Sequence, residues 1–304
     1  MKVYFIKEFK DIPKNISNLN LVLGLFDGIH IGHQELINFA CKNSSNEVLG
    51  VFTFDKALKN TTSILMNVKD KLTELEKLPI DYLFVLVCDE NIRTMSHEIF
   101  LEKVIKGFNP KKIFCGPDFR FGYKALGDVD YLKENFDEVF VFDFVKDDDG
   151  QKISTSLIKE LIANGNIEKA NKLLTREYKI NGTIVSGYRA GHLLGFPTAN
   201  IKPLDSYLLP HNGVYFTRII IDNNAYFAVT NIGLHPTINE LKSPIIEAHI
   251  LNCDTDLYGK TIELYIYKKE RDELKFDNVE SLKKQILKDR DNCIKYFQNL
   301  GLHK

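Results

Sequence analysis

Residues 21–40 read LVLGLFDGIHIGHQELINFA and decide the fold of the first half of the chain. The apolar run 21–25 has the length of a buried strand, and residues 34–40 have the apolar spacing of a helix. Glycines between the two let the backbone approach a ligand closely, and free N–H groups at the helix start favour an anion such as a phosphate. His30 and His33 stand at this turn, where imidazoles can donate to phosphate oxygens that gain charge during nucleotidyl transfer. The stretch therefore predicts a strand, a tight turn and a helix around a phosphate site.

Each feature of this turn has an ordinary explanation when it is taken alone. A single histidine near a helix start is usually a cap or a solvated side chain, and glycine turns occur in α/β proteins of every function. The combination is more specific, because residues 24–33 form the pattern GxFDGxHxGH. This pattern resembles the HxGH signature of nucleotidyltransferases, in the form found in the N-terminal module of prokaryotic riboflavin kinase/FAD synthetases. The resemblance implies an ATP site with catalytic His30 and His33 and with contacts from Gly24, Phe26, Asp27 and Gly28.

Composition and charge exclude several classes of protein. The chain has 304 residues, 44% of them hydrophobic and 27% charged, which suits a globular protein of two domains. Because Lys+Arg 40 balance Asp+Glu 41, no global field favours a nucleic acid or an anionic membrane as partner. The five cysteines form no CxxC pair, so we expect reduced thiols in a cytoplasm rather than a disulfide framework or a zinc site. No apolar run has the length of a signal-peptide core or a membrane span, and a soluble intracellular protein is expected.

The rest of the first half alternates strand-like and helix-like segments. Such alternation predicts a doubly wound parallel sheet with helices on both faces and ligands beyond the carboxyl ends of the strands. Together with the resemblance, it predicts a Rossmann-like nucleotidyltransferase domain over residues 1–176. The further strands are expected at 48–54, 82–87, 113–115 and 139–142, and a helix at 68–78. A second helix, capped by Ser96, should bury Ile99, Phe100, Val104 and Ile105.

Two further segments of this half are candidates for ligand contact. The loop GPDFRFG at 116–122 is either a packed surface loop or a clamp on a planar ligand. It resembles the flavin-nucleotide loop of the same family, which implies flavin contacts from Asp118, Phe119 and Arg120. Hydroxyls at 154–156 precede a helix, and although capping would explain one of them, the run resembles the ISSTxxR signature that contacts ATP phosphates. The implied ATP contacts are Ser154, Thr155, Ser156 and Lys159.

The chain departs from the family pattern in this half. Leu157 and Lys159 stand where the family usually has arginine, and lysine lacks the two-pronged grip of arginine on phosphate. Residues 53–57, TFDKA, stand where the family has TFxPHP. An alternative hypothesis therefore keeps the kinase active and makes the first domain a degenerate flavin-nucleotide binder.

The second half, 177–304, is expected to be an antiparallel β-barrel. Short alternating apolar runs separated by Gly, Pro and Asn turns predict the barrel. Residues 280–297 then have the spacing of an amphipathic helix, with an inner face of Leu282, Ile286, Ile294 and Phe297.

A glycine-rich loop at 187–200 carries the chemistry of this half. Its threonine and asparagine are neutral oxygen donors suited to a hydrated magnesium ion that binds phosphates. The ordinary alternative is that the glycines only form turns and the threonine only caps an element. The run GFPTAN resembles the PTAN motif of riboflavin kinases. Further motifs of that family follow in the same order, namely NIG at 231–233 with PT at 236–237, LYG at 257–259, and RDE at 271–273 with KF at 275–276. The resemblance implies Mg²⁺ on Thr198 and Asn200, and flavin contacts from Asn231, Arg271 and Glu273. The implied ATP contacts are Gly187, Arg189, Gly191, His192, Gly195, Pro197, Thr198 and Asn200.

Glu247 is the candidate base for the kinase. Strand alternation places it on the face opposite Ile246, Ala248 and Ile250, so a rigid element holds the carboxylate. A solvent-facing strand acid is the ordinary alternative. The position resembles the catalytic glutamate of riboflavin kinases, which takes the proton of the ribityl 5′-hydroxyl.

These resemblances predict a bifunctional flavin enzyme with ATP, riboflavin, FMN and FAD as substrates and products. Riboflavin would be phosphorylated to FMN by the β domain, and FMN adenylylated to FAD by the α/β domain. A flavin-sensing regulator is the alternative from another class, and the balanced charge and absence of a recognisable nucleic-acid motif speak against it. The sequence leaves the oligomeric state open.

Overall fold

A computed structural model describes residues 1–55, 63–186, 195–234, 244–253 and 257–302. The chain forms two compact units, Met1–Thr155 and Ser156–Lys304. The second unit thus includes two helices that precede the barrel. The boundary expected at 176/177 is the point where the sequence changes from helical to strand-like runs. As the boundary between the two catalytic modules, it stays a prediction. No helix in the described part of the chain is long and apolar enough to cross a membrane.

The first unit is built on a six-stranded sheet in which every pair of neighbours is parallel. The order is β1-β4-β3-β2-β5-β6. The predicted parallel sheet is confirmed, and the edge strand β1 is an addition that sequence reasoning missed. The strands are β1 Lys2–Ile6, β2 Leu19–Leu23, β3 Val48–Phe54, β4 Tyr82–Leu86, β5 Lys112–Cys115 and β6 Val139–Val141.

Helices cover both faces of this sheet, as predicted. Successive residues of a strand point to opposite faces, so Phe52 packs into one core cluster and Val51 into the other. Helix α1 packs Leu36 and Ile37 into the second cluster. The α-helices are α1 Ile31–Lys42, α2 Val68–Leu75, α3 Glu90–Arg93, α4 His97–Phe100 and α5 Val129–Asn135. Short 3₁₀ turns lie at Phe9–Asp11, Lys106–Phe108 and Tyr123–Ala125, and a five-residue π-helix lies at Leu101–Ile105.

The helical run that begins at α4 corrects one predicted core position. Ser96 caps it as expected, by accepting from the N–H of Ile99. The buried positions are Phe100, Val104 and Ile105, whereas Ile99 is 50% exposed. The prediction for Ile99 was wrong because the apolar stripe continues through Phe108, and Ile99 precedes that stripe by one residue, about 100° around the helix.

The second unit contains a closed antiparallel barrel, which confirms the predicted fold. Neighbouring strands follow the order β10-β11-β8-β7-β12-β9. The strands are β7 Tyr178–Val185, β8 Ala199–Pro203, β9 Gly213–Ile221, β10 Asn224–Leu234, β11 Pro244–Ile250 and β12 Thr261–Arg271. Two helices precede the barrel and one follows it, namely α6 Thr155–Ala163, α7 Ile167–Leu174 and α8 Val279–Asn299.

The last helix packs on the barrel through a different stripe from the predicted one. Its buried residues are Asp289, Cys293 and Phe297, spaced by four. The Phe297 ring stacks on that of Phe227 on β10, with 4.1 Å between centroids. Ile294 is 36% exposed, so the predicted inner face was wrong there, because Ile294 follows Cys293 by one residue and lies about 100° around the helix from the buried stripe.

Candidate active sites

The turn after β2 is shaped by the glycines of the motif. A Cβ atom at Gly24 would lie 2.7 Å from the ring of Phe26, which is fully buried and cannot move aside. Phe26 itself has a left-handed backbone at φ 51°, and Gly28 follows at φ 85°. Such conformations cost energy for most side chains, and they are kept where the surroundings hold them. One compact turn at the carboxyl end of a parallel strand therefore requires the residues of the pattern GxFDG.

The two histidines of the motif lie against each other at the start of α1. Their rings stack with 3.7 Å between centroids, and the Phe26 ring meets that of His33 edge-on at 5.1 Å. His30 is the N-cap residue of α1 and only 4% exposed. A Cβ atom at Gly32 would lie 3.2 Å from its ring. The structure thus brings both predicted histidines to one helix N-terminus, where backbone N–H groups favour an anion.

The segment at 154–156 reaches the same turn. The hydroxyl of Thr155 donates to the carbonyl of Asp27 over 3.1 Å. The carboxylate of Asp27 accepts from the N–H of Leu65 at 3.2 Å, and the residue is only 8% exposed. Thr155 and Asp27, both predicted to contact ATP, therefore lie next to each other within the first unit.

The family departures at the start of α6 have a structural explanation for one of the two positions. Leu157 is 7% exposed and belongs to the buried face of the helix, so an apolar residue suits its surroundings. Ser156 is exposed and Lys159 is half-buried. ATP contacts from Ser154, Thr155, Ser156 and Lys159 stay predictions.

Lys71 is a residue of this site that sequence reasoning missed. It is 5% exposed, and its ammonium donates to the carbonyls of Leu25 and Phe54 at 2.9 and 3.0 Å and to Thr53 Oγ1 at 3.3 Å. Burial lowers the pKa of Lys71 to about 8, against the opposing effect of the carboxylates of Asp27 and Asp55. A signal was present in the sequence, because a lysine three residues after Val68 and four before Leu75 lies on the apolar stripe of α2.

The TFDKA segment also contributes to the framework of this site. The Thr53 hydroxyl donates to the carbonyl of Leu25 at 2.8 Å. The Asp55 carboxylate accepts from the N–H of Cys88 at 2.9 Å, which ties the ends of β3 and β4 together. Lys56 and Ala57 lie outside the described residues.

The predicted flavin loop follows β5 and is anchored in its middle. A Cβ atom at Gly122 would lie 2.4 Å from the Cα of His97, and Phe119 stacks on the buried Phe121. The charged side chains of the loop point outward, with Asp118 bound to Lys152 at 2.7 Å and Arg120 to Asp128 at 2.6 Å. Flavin contacts from Asp118, Phe119 and Arg120 stay predictions on this rigid base.

Glu247 lies in the centre of a polar row on the barrel. It pairs with Asn231 of β10 on one side and with Asn200 of β8 on the other. Side chains directly opposite each other in antiparallel strands have Cβ atoms about 4.5–5.5 Å apart. Ile246 and Ala248 are buried, so the predicted alternation is confirmed and Glu247 points to the opposite face. Three strands thus present a carboxylate between two amides.

Glu273 extends this row. Its Oε1 accepts from Asn231 Nδ2 over 3.5 Å. A Cβ atom at Gly233 would lie 2.4 Å from the same oxygen, so the glycine of the NIG motif leaves room for this carboxylate. The two motifs meet although they lie about forty residues apart, at 231 and 273.

The PTAN segment is held against the neighbouring strand. His249 Nδ1 lies 3.0 Å from the carbonyl of Pro197, and the Phe196 ring meets the His249 ring edge-on at 5.6 Å. Gly195 has φ 82°, and Thr198 is half-buried. The segment that carries the predicted metal ligands is thereby fixed beside the row of Glu247.

Arg271 has a structural partner that the sequence analysis did not foresee. Its guanidinium binds Asp289 of α8, with Nε 3.0 Å and Nη2 2.7 Å from Oδ2, and Nη1 donates to the carbonyl of Asp272 at 2.9 Å. Asp289 is only 2% exposed, so this pair fixes the last helix to the barrel. A flavin contact from Arg271 stays a prediction.

Four predicted ATP contacts and one motif fall outside the described residues. The motif is the PT pair at 236–237. The contacts are Gly187, Arg189, Gly191 and His192.

Comparisons with known proteins match both halves of the chain. The family model for FAD synthetase matches residues 12–157, and the model for riboflavin kinase matches residues 174–297. The bifunctional riboflavin kinase/FMN adenylyltransferase of Bacillus subtilis is 32% identical over 92% of this chain and 93% of its own. The enzyme of the same name from Haemophilus influenzae is 31% identical over 97% and 99%.

A solved structure from Streptococcus pneumoniae, described as a macrolide-efflux protein, is also similar over nearly the whole chain. Its TM-score is 0.85 at 31% identity, and the match covers 96% of this chain and 98% of that one. The family models and curated relatives confirm the predicted pair of activities. The chain belongs to the family of bifunctional riboflavin kinase/FMN adenylyltransferases.

Proposed function

We propose that the polar row around Glu247 phosphorylates riboflavin and that the turn at His30 adenylylates the resulting FMN, each reaction using its own ATP. The observation that carries the proposal is the alignment of Asn200, Glu247 and Asn231 across three strands. These residues come from separate motifs of the sequence, and the barrel register sets them side by side.

Glu247 is the general base of the kinase. It accepts the proton of the primary ribityl hydroxyl as that oxygen attacks the γ-phosphorus of ATP, and ADP leaves. Because phosphoryl transfer depends mainly on positioning and charge neutralisation, a carboxylate fixed on a strand suits this role. Glu273, bound to Asn231, is suited to orient the flavin beside it.

Thr198 and Asn200 are the proposed protein ligands of Mg²⁺. They offer neutral oxygen donors, and Asn200 stands opposite Glu247. Such a donor set fits Mg²⁺, which keeps several waters and binds nucleotide phosphates with one or two protein ligands. When bound, the ion neutralises charge on the phosphates. The residues of the chain then orient the nucleotide and take up the proton.

His30 and His33 are the proposed catalytic pair of the adenylyltransferase. A phosphate oxygen of FMN attacks the α-phosphorus of ATP, a P–O bond forms, and pyrophosphate leaves. The imidazoles donate to phosphate oxygens as their charge grows, and the N-terminus of α1 favours the same charge. The turn at 24–28 lies beside them and lets backbone approach the nucleotide.

The proposed reactions also define the small-molecule partners of the protein and agree with a location in the cytoplasm. Riboflavin, FMN, FAD and ATP are the small-molecule partners. All five cysteines are free, which fits the proposed cytoplasmic location.

Product analysis tests the assignment. Purified protein incubated with riboflavin, ATP and magnesium should accumulate FMN first and FAD afterwards, as separated by chromatography. FMN alone would support a degenerate first unit. Neither product would support a flavin-sensing regulator.

A further inference from the structure

Lys71 uses all of its hydrogen-bonding capacity inside the first unit. An ammonium group has three N–H donors, and Lys71 has three acceptors, which are the carbonyls of Leu25 and Phe54 and the hydroxyl of Thr53. The Thr53 hydroxyl in turn donates to the Leu25 carbonyl. Leu25 therefore receives two hydrogen bonds at one oxygen, in the middle of the turn that follows β2.

The cost of this arrangement points to a role in function. Burying an ammonium is expensive, and an apolar side chain of similar volume is often as stable or more stable in such a place. The charged groups that face Lys71 are Asp27 and Asp55, from the segments after β2 and β3. This is the carboxyl edge of a parallel sheet, where ligands bind.

A continuous series of contacts connects Lys71 to the histidine pair. Its ammonium holds the carbonyl of Leu25, and the next residue is Phe26, in its left-handed conformation. The Phe26 ring meets the His33 ring edge-on, with 5.1 Å between the ring centroids, and the His33 ring stacks on the His30 ring, with 3.7 Å between the centroids. A shift of the Leu25 carbonyl would therefore move Phe26 and, with it, the ring against which the pair is packed.

We propose that Lys71 is a positioning residue for FMN adenylylation, which holds the turn after β2 so that His30 and His33 stay in their reactive arrangement. This inference rests on the proposed role of the two histidines. It assigns Lys71 no contact with substrate. It predicts that loss of the ammonium lowers turnover at this site more than it weakens nucleotide binding.

The test compares Lys71→Met with Lys69→Met in the full chain. Lys69 is exposed on the same helix, so its variant controls for the loss of one lysine charge. With FMN supplied, kcat for FAD formation should fall by about 10- to 100-fold in Lys71→Met, because small displacements of catalytic groups have effects of this order. The KM for ATP should change less than threefold. Riboflavin phosphorylation in the same preparation should stay at the wild-type rate.

A spectroscopic measurement separates positioning from general support of the fold. The ring-proton resonances of His30 and His33 in NMR spectra should move in Lys71→Met and stay in place in Lys69→Met. Thr53→Val keeps the side-chain shape while removing its hydrogen bond to Leu25, and it tests the same contacts if Lys71→Met does not fold. It should lower kcat for FAD formation by about 3- to 10-fold, in the same direction.

Wild-type kcat for FAD formation in folded Lys71→Met, or in Thr53→Val where the first variant is unfolded, would overturn the proposal. Unmoved histidine resonances would overturn it too. A different result marks failure of the proposed function itself, namely full FAD formation by His30→Ala. The two failures are therefore distinguishable in one set of proteins.

Discussion

The two sites of this chain are held in place by different means. In the first unit, His30 is almost fully buried and depends on a turn with left-handed residues and glycines that leave room for rings. On the barrel, Asn200, Glu247 and Asn231 are half-buried and stand in register on neighbouring strands. The first site should therefore be sensitive to changes that displace the backbone. The second should be sensitive mainly to the chemical identity of its side chains.

The substitution with the largest expected effect on activity is Glu247→Gln in the barrel site. Glu247→Gln keeps the size of the side chain and removes its basicity, so the kinase rate should fall by roughly 10²- to 10⁴-fold. Conversion of supplied FMN to FAD should persist at the wild-type rate. Steady-state kinetics at saturating riboflavin and ATP measure both. A wild-type kinase rate would sink the assignment of Glu247 as base.

The corresponding change in the first unit is His30→Ala. Loss of one donor to transition-state charge should lower FMN adenylylation by roughly 10²- to 10³-fold. Phosphorylation of riboflavin should stay near wild type, as measured by FMN formation. Equal loss of both activities in a folded variant would show that the two sites do not act separately.

A third test concerns the pH dependence of stability through Lys71. The pKa of Lys71 is lowered from 10.5 to about 8 in the folded protein, so the unfolded chain binds this proton more tightly. The stability associated with this shift is present above pH 10.5 and is lost as the pH falls through 8. The free energy of unfolding of the wild type, relative to Lys71→Met, should thus rise by on the order of 3 kcal/mol between pH 8 and 10.5.

Denaturant unfolding of the two proteins at several pH values measures this difference. Using the difference between wild type and variant removes the contribution of every other titrating group that the two share. A difference that falls with rising pH would contradict the burial of a charged Lys71.

The smallest expected effect compares two glycines, one from each site. Gly24→Ala places a Cβ against the enclosed ring of Phe26 and should destabilise the first unit by about 1–3 kcal/mol. Gly233→Ala meets the end of the Glu273 side chain, which can rotate away, and should cost less. Denaturant unfolding gives both values. A larger cost at Gly233 would contradict the view that the first site alone depends on tight backbone packing.

Local sequence patterns were sufficient for most of the fold. The alternation of strand-like and helix-like runs predicted the parallel sheet, and the alternating runs after 177 predicted the barrel. The edge strand β1 was missed because its run KVYFI is only five residues long and shows no alternation of apolar and polar residues. The inner face of α8 was partly wrong because the buried stripe runs through Asp289, Cys293 and Phe297, and the apolar Ile294 lies beside that stripe rather than on it.

The residues of the two sites also fall into those that a local sequence pattern predicts and those whose contacts depend on the tertiary fold. The places of His30, His33 and Glu247 in the fold could be predicted because each belongs to a local pattern of strand, turn or helix, whereas their catalytic roles stay predictions. The contact of Lys71 with Leu25 and that of Glu273 with Asn231 join residues more than forty positions apart, so only the tertiary fold brings them together. Arg271 belongs to a family motif, yet its partner Asp289 lies on another element. For such pairs, the contact is visible only in the tertiary structure.

In the proposed function, two separate sites act in sequence, with FMN as the product of one and a substrate of the other. The most direct measurement mixes purified Glu247→Gln and His30→Ala proteins with riboflavin, ATP and magnesium. Each variant alone should form almost no FAD from riboflavin, whereas the mixture should form FAD after a lag, because FMN released by one protein is adenylylated by the other. No FAD from the mixture, although each variant retains its own remaining activity, would contradict separate sites.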